Sequence, residues 1–135
     1  DIVSKGGNLA LNLAPQPDGE LPAGAVASLR DMGRWLRMHG EGIYETDIIK
    51  PYFERNVKYT AKNNIRYAFY LYDDCVRLPL RVYLTATEDI KSVRLMRTGQ
   101  EIPFKKQGSQ LLLDTTDVDR NSAFYADCFI LEAMP

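Results

Sequence analysis

SKGGNLALNLAPQPDG, residues Ser4–Gly19, is the stretch on which the reading of this chain turns. Gly6 and Gly7 stop whatever precedes them. Leu9, Leu11 and Leu13 then alternate with Asn8, Ala10 and Asn12, and that period of two specifies a strand. The alternate face carries one small residue between two amides instead of large polar groups. Such a strand is expected to be enclosed on both sides, with asparagines that find hydrogen-bond partners. Pro15-Gln16-Pro17-Asp18-Gly19 cannot continue it, because prolines lack amide donors and Asp-Gly is a turn signal.

Working outward, a helix is expected from Pro22 to His39. Val26, Leu29, Met32, Gly33 and Leu36 fall on one face at spacings of three and four, and Trp35 lies at the edge of that stripe. Gly40 ends the helix, with Arg37 and His39 in the last turn, where positive charge is favoured. Glu41–Glu54 reads as a connector containing Gly42 and Pro51, and the domain boundary is expected near Thr46–Pro51.

Beyond Asn56 the period is two throughout. Val57–Ala61, Ile65–Tyr72, Leu80–Thr85, Ser92–Arg97, Leu111–Thr115 and Phe124–Leu131 read as strands, with turn residues between them. Glu101–Lys105 is a further short strand, and Pro103 assigns it to an edge. Strands without intervening helices specify an antiparallel sandwich. The expected fold is therefore mainly β: an antiparallel β-sandwich over residues 47–135, preceded by a strand-loop-helix unit over residues 1–46. That unit looks like the last βα unit of a (β/α)8 barrel. One such unit cannot bury its own faces, so the chain is expected to be a portion of something larger.

The totals exclude several classes. The 135 residues carry a formal net charge of -1, which is no electrostatic footprint for nucleic acid or an anionic membrane. The longest apolar runs span only a few residues, so no segment is expected to cross a bilayer. Cys75 and Cys128 are too few for a disulfide framework and read as two small buried hydrophobes, with a single bridge as the other option. No P-loop or dinucleotide fingerprint occurs.

No catalytic constellation is visible in composition or spacing. His39, the sole histidine, reads as a helix-end dipole partner and not as a metal ligand. Asp117, Asp119 and Asn121 imitate part of a calcium loop. Ser122 and Cys128 stand where an EF-hand needs glycine and glutamate, so no metal or other cofactor is expected, a looser calcium site aside. Asp73-Asp74 and Glu88-Asp89 read as solvated turns. Lys91, Arg94, Arg97, Lys105 and Lys106 read as a solvated basic face. Tyr70 and Tyr83, if their strands lie side by side, would form an aromatic platform for sugar rings. The plainer reading is that they are ordinary strand tyrosines.

The front third resembles the alpha-L-fucosidases of glycoside hydrolase family 29. The resemblance is carried by Gly7–Asn12, Pro15, Asp18-Gly19, Met32-Gly33, Trp35-Leu36, Gly40-Glu41 and Ile43–Thr46. Ile65–Leu71 and Val93–Phe104 look more loosely like strands of that family's C-terminal β-sandwich. Two departures stand out. His39 occupies a position where the family usually has asparagine, and Asp47-Ile48-Ile49 replaces a common Arg-Pro-Trp.

The resemblance implies a parent enzyme that hydrolyses terminal alpha-L-fucose with retention, using two carboxyl groups about 5 Å apart. The positions that supply them in the family lie upstream of its last barrel strand, so no catalytic residue is carried over to this chain. Asn12, Pro15 and Asp18 would lie on the barrel rim and help wall the fucose pocket. The alternative is that they only shape the loop. The resemblance further implies a fucosylated glycan as partner through the barrel and an extracytoplasmic location. Without a barrel to cover the faces of Asn8–Leu13 and of the helix, the chain is expected to dimerise, swap the strand or fold these segments onto its own sandwich. The rival reading is a free-standing carbohydrate-binding sandwich with the front unit as decoration.

Overall fold

Two tight hairpins show how the local sequence sets the fold. β2 (Val57–Lys62) and β3 (Ile65–Leu71) pair antiparallel from Lys62↔Ile65 to Val57↔Tyr70, so only Asn63 and Asn64 turn the chain. Asn63 takes a φ of 55°, a left-handed conformation that asparagine tolerates better than most side chains. Further on, Gly108 at φ 60° opens the equivalent two-residue turn between Phe104–Gln107 and Gln110–Asp114. The computed structural model describes residues 1–72, 77–121 and 125–135. The expected Asp73-Asp74 turn, Cys75, Ser122 and Phe124 lie outside the described residues.

After a 3-10 turn at Val3–Lys5 comes one α-helix, α1 (Ala23–His39), continued by a 3-10 turn at Gly40–Gly42. The strands follow: β1 (Phe53–Glu54), β2, β3, β4 (Arg81–Thr85), β5 (Ile90–Leu95), β6 (Phe104–Gln107), β7 (Gln110–Asp114) and β8 (Ala126–Ala133). They form a five-stranded sheet in the order β1-β2-β3-β8-β5 and a three-stranded sheet in the order β4-β7-β6, with every pairing antiparallel. The expected sandwich is present, and β6 is an edge strand as Pro103 required. The two-residue β1 was read as part of the connector.

The core lies between the sheets. Tyr59, Ala68, Val93, Leu95, Phe129 and Leu131 of the larger sheet meet Val82, Leu84, Leu111 and Leu113 of the smaller one. Each large side chain buried there contributes about 1.5–3 kcal/mol.

β3 and β8 are buried on both faces, because a third layer covers the far side of the larger sheet. There Tyr67, Phe69, Cys128 and Ile130 form a second cluster, against which Trp35 of α1 and Ile43 pack. The Trp35 indole tilts against Phe69 at 5.9 Å, and its Nε1 donates to the Ala126 carbonyl at 3.2 Å. The Thr60 hydroxyl donates to the Gly42 carbonyl at 2.6 Å, and the Tyr67 hydroxyl donates to Glu41 at 2.9 Å. Gly42 permits this close seat, since a Cβ there would lie 2.8 Å from the Phe69 ring.

One expectation fails at the front. Asn8–Leu13 pairs with no other described segment; Leu9 and Leu11 are 56% and 54% exposed, and Asn8 and Asn12 face solvent. A strand forms only when a neighbour pairs with it, and none of the described edge strands does so here. The apolar stripe of α1 is not the face that meets the sheet. Only the C-terminal half of the helix docks, through Trp35 and His39, while Leu29 and Met32 point outward.

Candidate functional site

The polar groups that a site would need are built into the sandwich as structural pairs. Asp127, at the start of β8, is fully buried. Arg97 donates to its Oδ1 from Nε at 2.7 Å, and the Tyr72 hydroxyl donates to its other oxygen. Burial first, and then the Asp127 carboxylate, push the Tyr72 phenol well above its ordinary range. Arg97 was read as part of a solvated basic face. Its side chain is instead 4% exposed, because it turns under the sheet end to meet this carboxylate.

A second pair closes the opposite side of the core. Arg66 forks onto Glu88 through Nε at 2.6 Å and a terminal nitrogen at 2.9 Å, with its guanidinium 5.4 Å from the Tyr59 ring centre. Burial raises the Glu88 carboxyl, but the Arg66 fork outweighs it and holds the group below its usual range. Glu88 is thus a core-capping residue and not the solvated turn residue expected. Glu54 of β1 accepts from the Tyr59 hydroxyl and from the Thr85 amide and hydroxyl, the last two at 2.7 Å each, and so ties the two sheets together. All three carboxylates are committed to holding the sandwich.

The expected site residues fall in three places. Asn12, Pro15 and Asp18 are exposed. The Asp18 carboxylate accepts from the Glu20 amide at 3.0 Å, while Gly19 takes φ 85° and donates to the Gln16 carbonyl at 2.9 Å. Asp18 therefore shapes its own turn. Tyr70 and Tyr83 are not brought together. β3 pairs with β2 and β8, whereas β4 pairs with β7 in the other sheet, because the chain crosses the sandwich between them. Tyr70 packs on the core beside Tyr72 at 6.1 Å, and Tyr83 faces solvent on the outer side of the smaller sheet.

His39 sits at the helix end as expected, with Nδ1 3.1 Å from the Trp35 carbonyl oxygen of the last turn. Its ring is also 1% exposed and stacked on Trp35 at 4.6 Å, a burial that the sequence does not announce. Asp119 accepts from the Asn121 amide at 2.9 Å, a local turn, and among the described residues no group of three or more His, Cys, Asp or Glu could hold a metal. Cys128 carries a free, fully buried thiol, and burial pushes its pKa up.

The front of the chain carries a run of exposed apolar side chains, while Leu80, Tyr83, Tyr125 and Met134 are exposed on the sandwich. At the front, Leu9, Leu11, Leu21, Leu29 and Met32 are exposed. Leu21, Val26, Leu29 and Arg37 also line a shallow groove along α1. No helix among the described residues is long and apolar enough to cross a membrane.

Comparison with known proteins finds similarity that is strongest at the front of the chain. Residues 1–41 match the family model described as alpha-L-fucosidase. An alpha-L-fucosidase of Branchiostoma floridae is 40% identical over 77 residues, covering 53% of this chain and 16% of its own length. The plasma alpha-L-fucosidase of Rattus norvegicus is 40% identical over 80 residues, with 53% and 17% covered. Among solved structures, Thermotoga maritima alpha-fucosidase in complex with a mechanism based inhibitor superposes with a TM-score of 0.76 at 25% identity, over 97% of this chain and 31% of that one. Alpha-L-fucosidase isoenzyme 1 from Paenibacillus thiaminolyticus shares the fold, with a TM-score of 0.83 at 24% identity over 99% of this chain and 32% of its own. The chain thus spans about a sixth of the curated relatives and about a third of the solved ones.

Proposed function

We propose that this chain, which belongs to the alpha-L-fucosidases of glycoside hydrolase family 29 and corresponds to their C-terminal portion, is the non-catalytic part of a retaining enzyme that removes terminal alpha-L-fucose from glycans. Residues 1–46 are the end of the catalytic barrel, and residues 47–135 form a sandwich that braces it. One observation carries this reading. The sandwich buries its own core completely, while the family-matched segment leaves Leu9, Leu11, Leu29 and Met32 uncovered.

Hydrolysis with retention needs a nucleophile and an acid/base about 5 Å apart in an accessible cleft. Asp127, Glu88 and Glu54 are each engaged by a structural partner, so they are poor candidates for either role. The glycan then reaches this chain only along the loop of Asn12, Pro15 and Asp18. The enzyme's place is extracytoplasmic.

The test is a nitrophenyl alpha-L-fucoside assay on the 135-residue chain, with light scattering on the same sample. The expected result is turnover at the blank level and a species larger than a monomer, because the uncovered leucines seek a partner. Turnover above blank would place the catalytic carboxylates within this chain and refute the proposal.

A further inference from the structure

We propose that His39 is an acid-sensitive latch, which holds the last turns of α1 on the five-stranded sheet and releases them below neutral pH. The geometry begins with a hydrogen bond. Nδ1 of His39 lies 3.1 Å from the Trp35 carbonyl oxygen. That oxygen can only accept, so Nδ1 carries the proton and Nε2 is left as a bare acceptor. Nε2 is buried and has no hydrogen-bond partner. The ring is 1% exposed and lies nearly parallel to the indole of Trp35, 4.6 Å between centres and 19° between planes. Trp35 is in turn the residue that joins α1 to the sheet, through Phe69 and the Ala126 carbonyl. The neutral ring therefore fits this seat, at the cost of one unused lone pair.

Protonation converts Nε2 into a charged donor in the same enclosed place. The groups that could receive it are already engaged. Asp127 of β8, which attracts the charge, is held by Arg97 and Tyr72. Arg97, beyond β5, repels it. Glu41, just past the helix, accepts from Tyr67 of β3. Cys128 of β8 is a buried thiol whose pKa is raised, so it stays neutral. On the helix itself, Asp31 pairs with Arg34, and Arg37 adds a further positive charge near Trp35. The imidazolium is accommodated by leaving the seat for water, and Trp35 leaves with it.

The sign follows from the same burial, which lowers the folded-state pKa of His39 beneath its ordinary 6.5. Released chain binds the proton more readily than docked chain. Docking is therefore at full strength above about pH 6.5. The docked-to-released ratio then falls by up to tenfold per pH unit as the pH drops toward the folded value, and levels off below it.

The chain has one histidine and one tryptophan, so both ends of the latch can be read without ambiguity. The experiment follows the imidazole carbon protons by NMR and the tryptophan emission from pH 8 to 4.5, with far-ultraviolet circular dichroism as a monitor of the sheets. Expected for the unaltered chain is a reversible red shift of emission with the same midpoint as the histidine titration, below 6.5, while the β signal is retained. His39→Phe, which keeps the stack but cannot titrate, and His39→Asn, which restores the residue usual in the family, are expected to hold a constant emission. An emission change that persists in either variant overturns the latch. So does a histidine that titrates without moving Trp35, or a β signal lost in the same step. Should a variant fail to fold, coincidence or divergence of the two midpoints in the unaltered chain decides the matter alone.

Discussion

Asp127→Ala is expected to lower the unfolding free energy by about 3–5 kcal/mol, because it removes the carboxylate that compensates the buried Arg97 guanidinium. Asp127 is 0% exposed and the Arg97 side chain 4%, so neither charge can turn to water without opening the sheet end. The same substitution removes the acceptor of the Tyr72 hydroxyl. Together these groups fasten β8 to the segments beyond β3 and β5, so the loss should reach the whole sandwich. Urea unfolding checks the magnitude. Arg97→Leu combined with Asp127→Leu should recover part of the deficit, since no uncompensated charge is left inside, although the Tyr72 hydroxyl still lacks its acceptor. A single-site loss below about 1 kcal/mol would show that the pair is hydrated.

The sandwich was legible in the sequence because its signals are local. Asn63-Asn64 and Gly108-Ser109 each fix a hairpin, and alternation in β4 and β7 separates Val82, Leu84, Leu111 and Leu113 from their exposed neighbours. β3 and β8 carry no such alternation, and their near-continuous apolar runs record the third layer. The charged pairs were not legible. Arg66 with Glu88, and Arg97 with Asp127, join residues 22 and 30 positions apart, and nothing in a basic or acidic run tells a solvated charge from a buried one.

The front failed for a different reason. NLALNL has the period of a strand, yet a strand is a relation between two segments, and none of those described pairs with it. Tyr70 and Tyr83 are kept apart by topology, since β3 and β4 lie in opposite sheets. The helix stripe was legible as apolar, but its periodicity does not say which face of α1 meets the sandwich. Leu29 and Met32 face away from the sandwich, and the pair that docks is Trp35 and His39, spaced four residues apart on the adjacent face.

Phe129→Ala should cost about 3–5 kcal/mol, the range for removing a large buried aromatic. Its consequences differ from those of its neighbour. Phe129 is fully buried between the two sheets, in register with Ala68 and Leu95. Ile130, one residue on, points to the opposite face, beneath the layer that carries Trp35. Because successive strand residues face opposite ways, β8 contributes to two cores at once. Phe129→Ala empties the space between the sheets, so the whole sandwich should melt earlier, with the Trp35 signal lost in the same transition. Ile130→Ala, at about 2–5 kcal/mol, removes support only from the helix layer. Tryptophan emission should then shift toward the solvent-exposed value at denaturant concentrations where the β signal is still native. Coincident transitions in the Ile130 variant would mean that α1 and the sandwich unfold as a single unit.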